Sequence, residues 1–113
     1  AQRYLNEIRN DNIILPFVNK DTDPVWHIFG IRCKVRQKLE EYLNIHGIGT
    51  NKHYPIPIHA QECYSDLKLD KNDYLIAEEI SQTELSLPMY YGMTDDEIQY
   101  VIDILNAFTL DKM

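Results

Sequence analysis

His53, Tyr54 and His59 bracket a stiff stretch, His53-Tyr54-Pro55-Ile56-Pro57-Ile58-His59, just beyond a helix stop at Gly47. Histidine can donate or accept a hydrogen bond, or carry a charge near neutral pH. A tyrosine hydroxyl adds a second polar handle. Each proline fixes φ at about −65° and removes a backbone donor, so Pro-x-Pro makes a stiff extended turn. Such a turn can hold polar side chains in fixed places, as a ligand site needs. It can equally be a well-built loop, and the local pattern leaves both readings open.

Other groupings point to plainer roles. His46, His53, His59 and Cys63 look like a ligand set, with His59 and Cys63 four residues apart. Their spacing matches no zinc motif, and His46 falls in a helix's last turn, where histidine is ordinary. A Cys63–His59 thiolate pair lacks an orienting third group. Both Cys33 and Cys63 are read instead as small buried thiols. Gly47-Ile48-Gly49-Thr50 suggests a phosphate loop but lacks the Gly-Lys-Ser/Thr ending. It also follows a helix and precedes a strand, the reverse of a dinucleotide-binding turn. It is read as a helix cap. The pairs Glu40–Glu41, Glu78–Glu79 and Asp95–Asp96 fall on exposed helix faces or at a helix start.

These residues must be positioned by a small chain. Its 113 residues suggest one domain with a modest core, and its 44% hydrophobic content is ordinary for a globular protein. Eighteen acidic against eleven basic residues give a net charge of −7. That balance argues against a general nucleic-acid binder, which needs a basic face to displace counterions. Two distant cysteines form no C-x-x-C and suggest reduced thiols in a cytoplasmic protein. No apolar run is long enough for a membrane span. Ala1-Gln2-Arg3-Tyr4-Leu5 has neither an initiator methionine nor a signal-peptide core, so the chain is expected to lie inside a longer protein.

Residues 1–10 read as the end of a helix, with Tyr4, Leu5 and Ile8 on one face and an Arg3–Glu7 pair. Residues 13–18 read as a short extended segment. Val25 to Cys33 reads as a strand, with Val25, His27, Phe29, Ile31 and Cys33 on one face and Trp26, Ile28, Gly30 and Arg32 on the other. Neither face is fully polar, which predicts a strand that is central or covered on both sides.

Val35, Leu39, Tyr42, Leu43 and His46 follow helical spacing up to Gly47. Ile48 to Tyr54 reads as a second strand, with Lys52 in it. Ala60 to Leu67 reads as a short helix before a polar loop. Tyr74, Ala77 and Ile80 mark another helix face, and Leu85 to Pro88 a brief strand. Thr94 and Glu97 form a capping box for a last helix striped by Ile98, Val101, Ile102, Leu105 and Phe108. The predicted fold is α+β, a small, mostly antiparallel sheet with helices packed against it.

The ordered segments carry a resemblance. Trp26-His27-Ile28-Phe29-Gly30-Ile31-Arg32 is followed by Leu39-Glu40-Glu41-Tyr42-Leu43, Gly47-Ile48-Gly49-Thr50 and His53 through Glu62. Ala77-Glu78, Leu85 through Tyr90 and Gly92 through Glu97 complete the series. From about Asn10 to Phe108 the chain closely resembles the C-terminal part of the DegT/DnrJ/EryC1/StrS aminotransferases. These are pyridoxal-phosphate enzymes that aminate keto sugars, usually nucleotide-linked.

The resemblance implies a fold-type-I aminotransferase working as a homodimer. A large N-terminal domain would carry the cofactor lysine, and a smaller C-terminal domain would close the site. Residues 1–12 would then be the end of an inter-domain helix and 13–113 the small domain, with the large domain outside this chain. It further implies pyridoxal 5'-phosphate in the whole enzyme, glutamate as the amino donor and a nucleotide-linked keto sugar as acceptor. Surface polysaccharide, lipopolysaccharide and antibiotic-sugar synthesis all use the family. His53 and Tyr54, and more weakly His59, become candidate substrate contacts. His53 would hydrogen-bond or relay a proton at the sugar. No lysine here lies in a Schiff-base segment, so the fragment alone is expected to bind no cofactor, to be inactive, and to self-associate through surface normally covered. The competing reading is a free-standing α+β ligand-binding, regulatory or interaction module.

Overall fold

In the computed structural model, residues 1–112 are described, and four helices surround a very small sheet. Helix α1 (Gln2–Glu7) buries Tyr4, the residue that follows it, Ile8, is buried too, and Leu5 packs beside them. Arg3 Nε lies 2.6 Å from Glu7 Oε2, the expected i,i+4 pair. Its hydrogen bond to Glu7 holds that carboxyl below its ordinary value.

The sheet pairs β1 (Gly30–Arg32) antiparallel with β2 (Glu84–Ser86) in the register Gly30↔Ser86, Ile31↔Leu85 and Arg32↔Glu84. Single bridges extend it on both edges, Ile14 to Arg32 and Asn51 to Ser86, both antiparallel. The strand predicted over Val25–Cys33, central or covered on both sides, forms as β1 between β2 and the Ile14 bridge. The strand itself is shorter than Val25–Cys33. Trp26 has φ 50° and leaves Val25 94% exposed, so the chain turns before pairing begins. A bulky residue at positive φ cannot continue a pleated ladder. The segment from Ile48 to Tyr54 likewise contributes only the Asn51 bridge, and Lys52 is not in a strand.

Side chains alternate across the strands, and the two faces differ in character. Phe29, Ile31 and Cys33 with Leu85 and Leu87 point into the core, all 5% exposed or less. Burial pushes the Cys33 thiol pKa upward. Leu85→Ala would remove a fully buried side chain from this layer, at a cost of about 2–5 kcal/mol. Gly30, Arg32, Glu84 and Ser86 occupy the opposite face.

Helix α2 (Arg36–Ile45) buries Leu39 and Leu43. It ends at Gly47, φ 76°, where Gly47 N–H donates to Asn44 O at 3.0 Å and Ile48 N–H to Leu43 O at 2.9 Å. This two-bond cap is the reason a glycine stands there. Helix α4 (Asp95–Ala107) has the predicted capping box: Glu97 N–H donates to Thr94 Oγ1 at 3.1 Å and Thr94 N–H to Glu97 Oε1 at 3.2 Å. Val101, Ile102, Leu105 and Phe108 are buried as predicted.

The stretch between His53 and α3 (Leu75–Thr83) departs most from expectation. Three short 3₁₀ turns, Ile58–Ala60, Glu62–Leu67 and Lys71–Asp73, replace the predicted helix from Ala60 to Leu67. Cys63 lies in the second turn and is exposed, contrary to its reading as a buried thiol. Helix α3 forms, but its buried residues are Ser81 and Thr83, while Ile76 is 75% exposed. Its Tyr74–Ala77–Ile80 stripe therefore does not face the core.

Candidate functional site

Past the α2 cap the chain runs alongside β2 and bonds to it through Asn51. Two residues later, His53 reaches the polar face of the sheet. Its backbone N–H donates to Glu84 Oε1 at 2.8 Å, and its Nδ1 lies 2.7 Å from Ser86 Oγ. Ser86 Oγ–H in turn donates to Glu84 Oε2 at 2.6 Å. Glu84 and Ser86 are both buried, at 8% and 6% exposed. The Glu84 carboxylate makes no ion pair among the described residues, yet both its oxygens accept hydrogen bonds. A buried carboxylate held this way is costly to desolvate and is stabilised only by such donors.

His53 lines a groove of about 340 Å³ with His27, Gly49, Thr50, Asn51, Ser86 and Met89. Tyr54 follows through a cis peptide bond and is 67% exposed. The two rings touch edge to face, with centroids 5.1 Å apart. Tyr54 nevertheless faces a different, more apolar groove of about 590 Å³, shared with Ile56, His59, Tyr74 and Ile80. The three candidate residues thus divide between two neighbouring hollows.

His59 is held by its own fold. Its Nε2 lies 2.7 Å from Glu78 Oε1, and its ring stacks on Tyr74 with centroids 4.6 Å apart. Glu78 is therefore a specific partner, not part of a solvated face. Glu79 and Glu40 are engaged as well, with Arg32 at 2.9 Å and Lys52 at 3.1 Å. The histidines of the supposed metal set go separate ways. His46 Nδ1 meets Tyr42 O at 2.8 Å, and no group of three His, Cys, Asp or Glu among the described residues could hold a metal.

Glu84 and Ser86 are the site residues that motif reading missed. The available signal was the alternation Glu84-Leu85-Ser86-Leu87, which puts two polar side chains on the sheet face opposite the core. A second signal was Gly30 in a strand, which often marks a close approach.

The model of the DegT/DnrJ/EryC1/StrS aminotransferase family matches residues 1–106. The chain belongs to this family. It is 37% identical over 108 residues to the dTDP-3-amino-3,6-dideoxy-alpha-D-galactopyranose transaminase of Aneurinibacillus thermoaerophilus, covering 96% of this chain and 29% of that one. It is 35% identical over 109 residues to the dTDP-3-amino-3,4,6-trideoxy-alpha-D-glucose transaminase of Streptomyces venezuelae, with 96% and 29% covered. The crystal structure of DesV from S. venezuelae, in complex with a ketimine intermediate, superposes at a TM-score of 0.88. There the identity is 33%, over 93% of this chain and 29% of that one. A family aminotransferase from Brucella abortus shares the fold at a TM-score of 0.82 and 22% identity, over 92% of this chain and 28% of that one. The chain thus spans about 29% of the length of these curated relatives.

Among the lysines whose side chains are described, none fits covalent attachment of pyridoxal phosphate. Lys20, Lys34, Lys38, Lys68 and Lys71 are exposed, and Lys52 is paired with Glu40. A Schiff-base lysine is held in a desolvated pocket, whereas these side chains are open to water or paired. No helix is long and apolar enough to cross a membrane among the described residues.

Proposed function

We propose that this chain is the C-terminal domain of a pyridoxal-phosphate aminotransferase that moves an amino group from glutamate to a nucleotide-linked keto sugar. The observation that carries this reading is the family match over residues 1–106, with relatives named as dTDP-sugar transaminases. In this reading residues 1–12 lead in from a larger cofactor-binding domain, and 13–113 form the small domain. The whole protein works in the cytoplasm as a homodimer, in polysaccharide or other amino-sugar synthesis.

Within it, His53 and Tyr54 stand at the sugar, with His53 offering a ring nitrogen to a hydroxyl and Tyr54 its phenol. His59, tied to Glu78 and Tyr74, shapes the wall beside them. The exposed apolar side chains of the 54–80 stretch support the division of labour. Ile58 is 73% exposed, Leu75 66% and Ile76 75%, apolar side chains that an inter-domain contact would cover. That surface packs on the rest of the protein, and isolated it drives self-association.

The cofactor chemistry belongs to the part of the protein outside this chain. Full-length protein incubated with pyridoxal phosphate, glutamate and a dTDP-linked keto sugar is expected to form 2-oxoglutarate and amino sugar in equal amounts. The chain alone should show neither turnover nor a borohydride-trapped lysine adduct. Trapping of the chain alone at one lysine, or a full-length protein inert toward every nucleotide-linked keto sugar tried, contradicts the proposal.

A further inference from the structure

Two buried polar side chains, Glu84 and Ser86, converge on His53, and with Glu84 as a carboxylate they leave one arrangement of protons. Ser86 has a single hydroxyl proton. Its oxygen lies 2.6 Å from Glu84 Oε2 and 2.7 Å from His53 Nδ1. A carboxylate can only accept, so the Ser86 proton must lie toward Glu84. Turned toward His53, it would leave two oxygens 2.6 Å apart with no hydrogen between them. Ser86 Oγ must then accept from His53, which requires the proton on Nδ1.

The other carboxylate oxygen is held by His53 N–H at 2.8 Å, which fixes the backbone of the same residue. Glu84 thus grips His53 twice, once through the main chain and once through Ser86. Nε2 has no hydrogen-bond partner among the described residues, and His53 lines the 340 Å³ groove.

We infer that Glu84 and Ser86 are positioning residues that hold neutral His53 as its Nδ1–H tautomer, leaving Nε2 as a hydrogen-bond acceptor for a donor group in the groove. The orienting of one imidazole nitrogen through the other is a general device. It sets a selection rule for this groove. Nε2 in this form favours a hydroxyl or an ammonium and disfavours a phosphate oxygen, which is itself an acceptor. Taken with the proposed function, on which this last step rests, the group bound there is a hydroxyl of the sugar rather than its diphosphate.

The substitution Glu84→Gln separates this from a merely structural role. Backbone N–H of His53 cannot rotate, so the amide oxygen stays on it and the amide NH2 turns to Ser86. Ser86 then accepts from the amide and directs its own proton at His53 Nδ1. The His53 proton moves to Nε2, and the tautomer reverses.

The measurement is a long-range 1H–15N spectrum of the histidine-labelled protein at a pH where its imidazoles are neutral, with the His53 signals assigned by their loss in His53→Gln. The expected result is a protonated Nδ1 and a bare Nε2 in the unsubstituted protein, exchanged in E84Q. S86A, which keeps Glu84 but cuts the link, should also shift the population toward Nε2–H, and S86T should restore Nδ1–H. A wild-type Nε2–H tautomer overturns the inference even if no variant folds, as does a tautomer indifferent to both E84Q and S86A. The spectra involve no turnover. The tautomer can therefore stand while the aminotransferase reading fails, and the converse.

Discussion

Gly30 on β1 stands so close to Glu84 on β2 that a Cβ at residue 30 would lie 2.7 Å from Glu84 Oε2. The contact runs diagonally across the strand pair, on the polar face of the sheet. The missing side chain at Gly30 leaves room for the carboxylate that holds His53 and Ser86.

Gly30→Ala should therefore act on the site as well as on stability. The carboxylate must swing aside, and its two hydrogen bonds, from His53 N–H and Ser86 Oγ–H, weaken or break. A loss of about 1–3 kcal/mol is expected in denaturant unfolding, the usual cost of leaving buried polar groups without partners. The His53 side-chain resonances should move with it. If G30A unfolds at the wild-type midpoint with unchanged His53 signals, the close approach has no energetic meaning.

Tyr4 carries a pH dependence of defined sign. Its hydroxyl is buried and donates to Pro88 O at 2.7 Å. Burial, and secondarily the nearby Tyr90, raises its pKa from 10.0 to about 12. The unfolded chain loses this proton near 10 and the folded chain near 12. Stability from this group is complete below the lower value and is lost as pH rises through the upper one. The expected loss is on the order of 2–3 kcal/mol. Urea unfolding across that range should show a steeper decline for wild type than for Tyr4→Phe. Parallel declines would mean that Tyr4 titrates alike in both states.

The His59–Glu78 pair gives a third test. The His59 side chain is only 6% exposed and that of Glu78 22%, so water screens the contact less than a surface pair. Glu78→Ala should cost about 1–2 kcal/mol by removing a charged acceptor from a nearly buried donor. A double-mutant cycle with His59→Ala should return a coupling of about 1 kcal/mol. Strict additivity would show that the two side chains are neighbours without being partners.

Helices α2 and α4 were legible because their signals are local. Gly47 and Thr94 mark ends through backbone chemistry that any neighbouring residues would impose. The Leu39–Leu43 and Val101–Leu105 spacings reported true buried faces. Strands were overcalled, because an apolar run such as Val25–Ile31 does not reveal a turn at Trp26. The apolar stripe of α3 shows what spacing leaves open. Tyr74, Ala77 and Ile80 do form a face, but it looks onto the groove of Tyr54 and Ile58 instead of the core. Periodicity shows that a face wants cover and says nothing of what covers it.

The same limit applied at the candidate site. His53 stood out because histidine beside a rigid proline turn is chemically conspicuous. Glu84 lies 31 residues further on, and its link to His53 exists only through strand pairing. Reading it in advance needed the register of the Asn51 segment on β2, which a single bridge scarcely announces.

His53→Ala in the full-length protein, assayed with glutamate and a nucleotide-linked keto sugar, tests the central claim most directly. A groove that presents His53 to the sugar predicts that kcat/KM for the keto sugar falls about tenfold or more, a loss of roughly 1.4 kcal/mol or greater in transition-state stabilisation. Turnover and sugar affinity both equal to wild type, in a variant that is folded and cofactor-loaded, would contradict it.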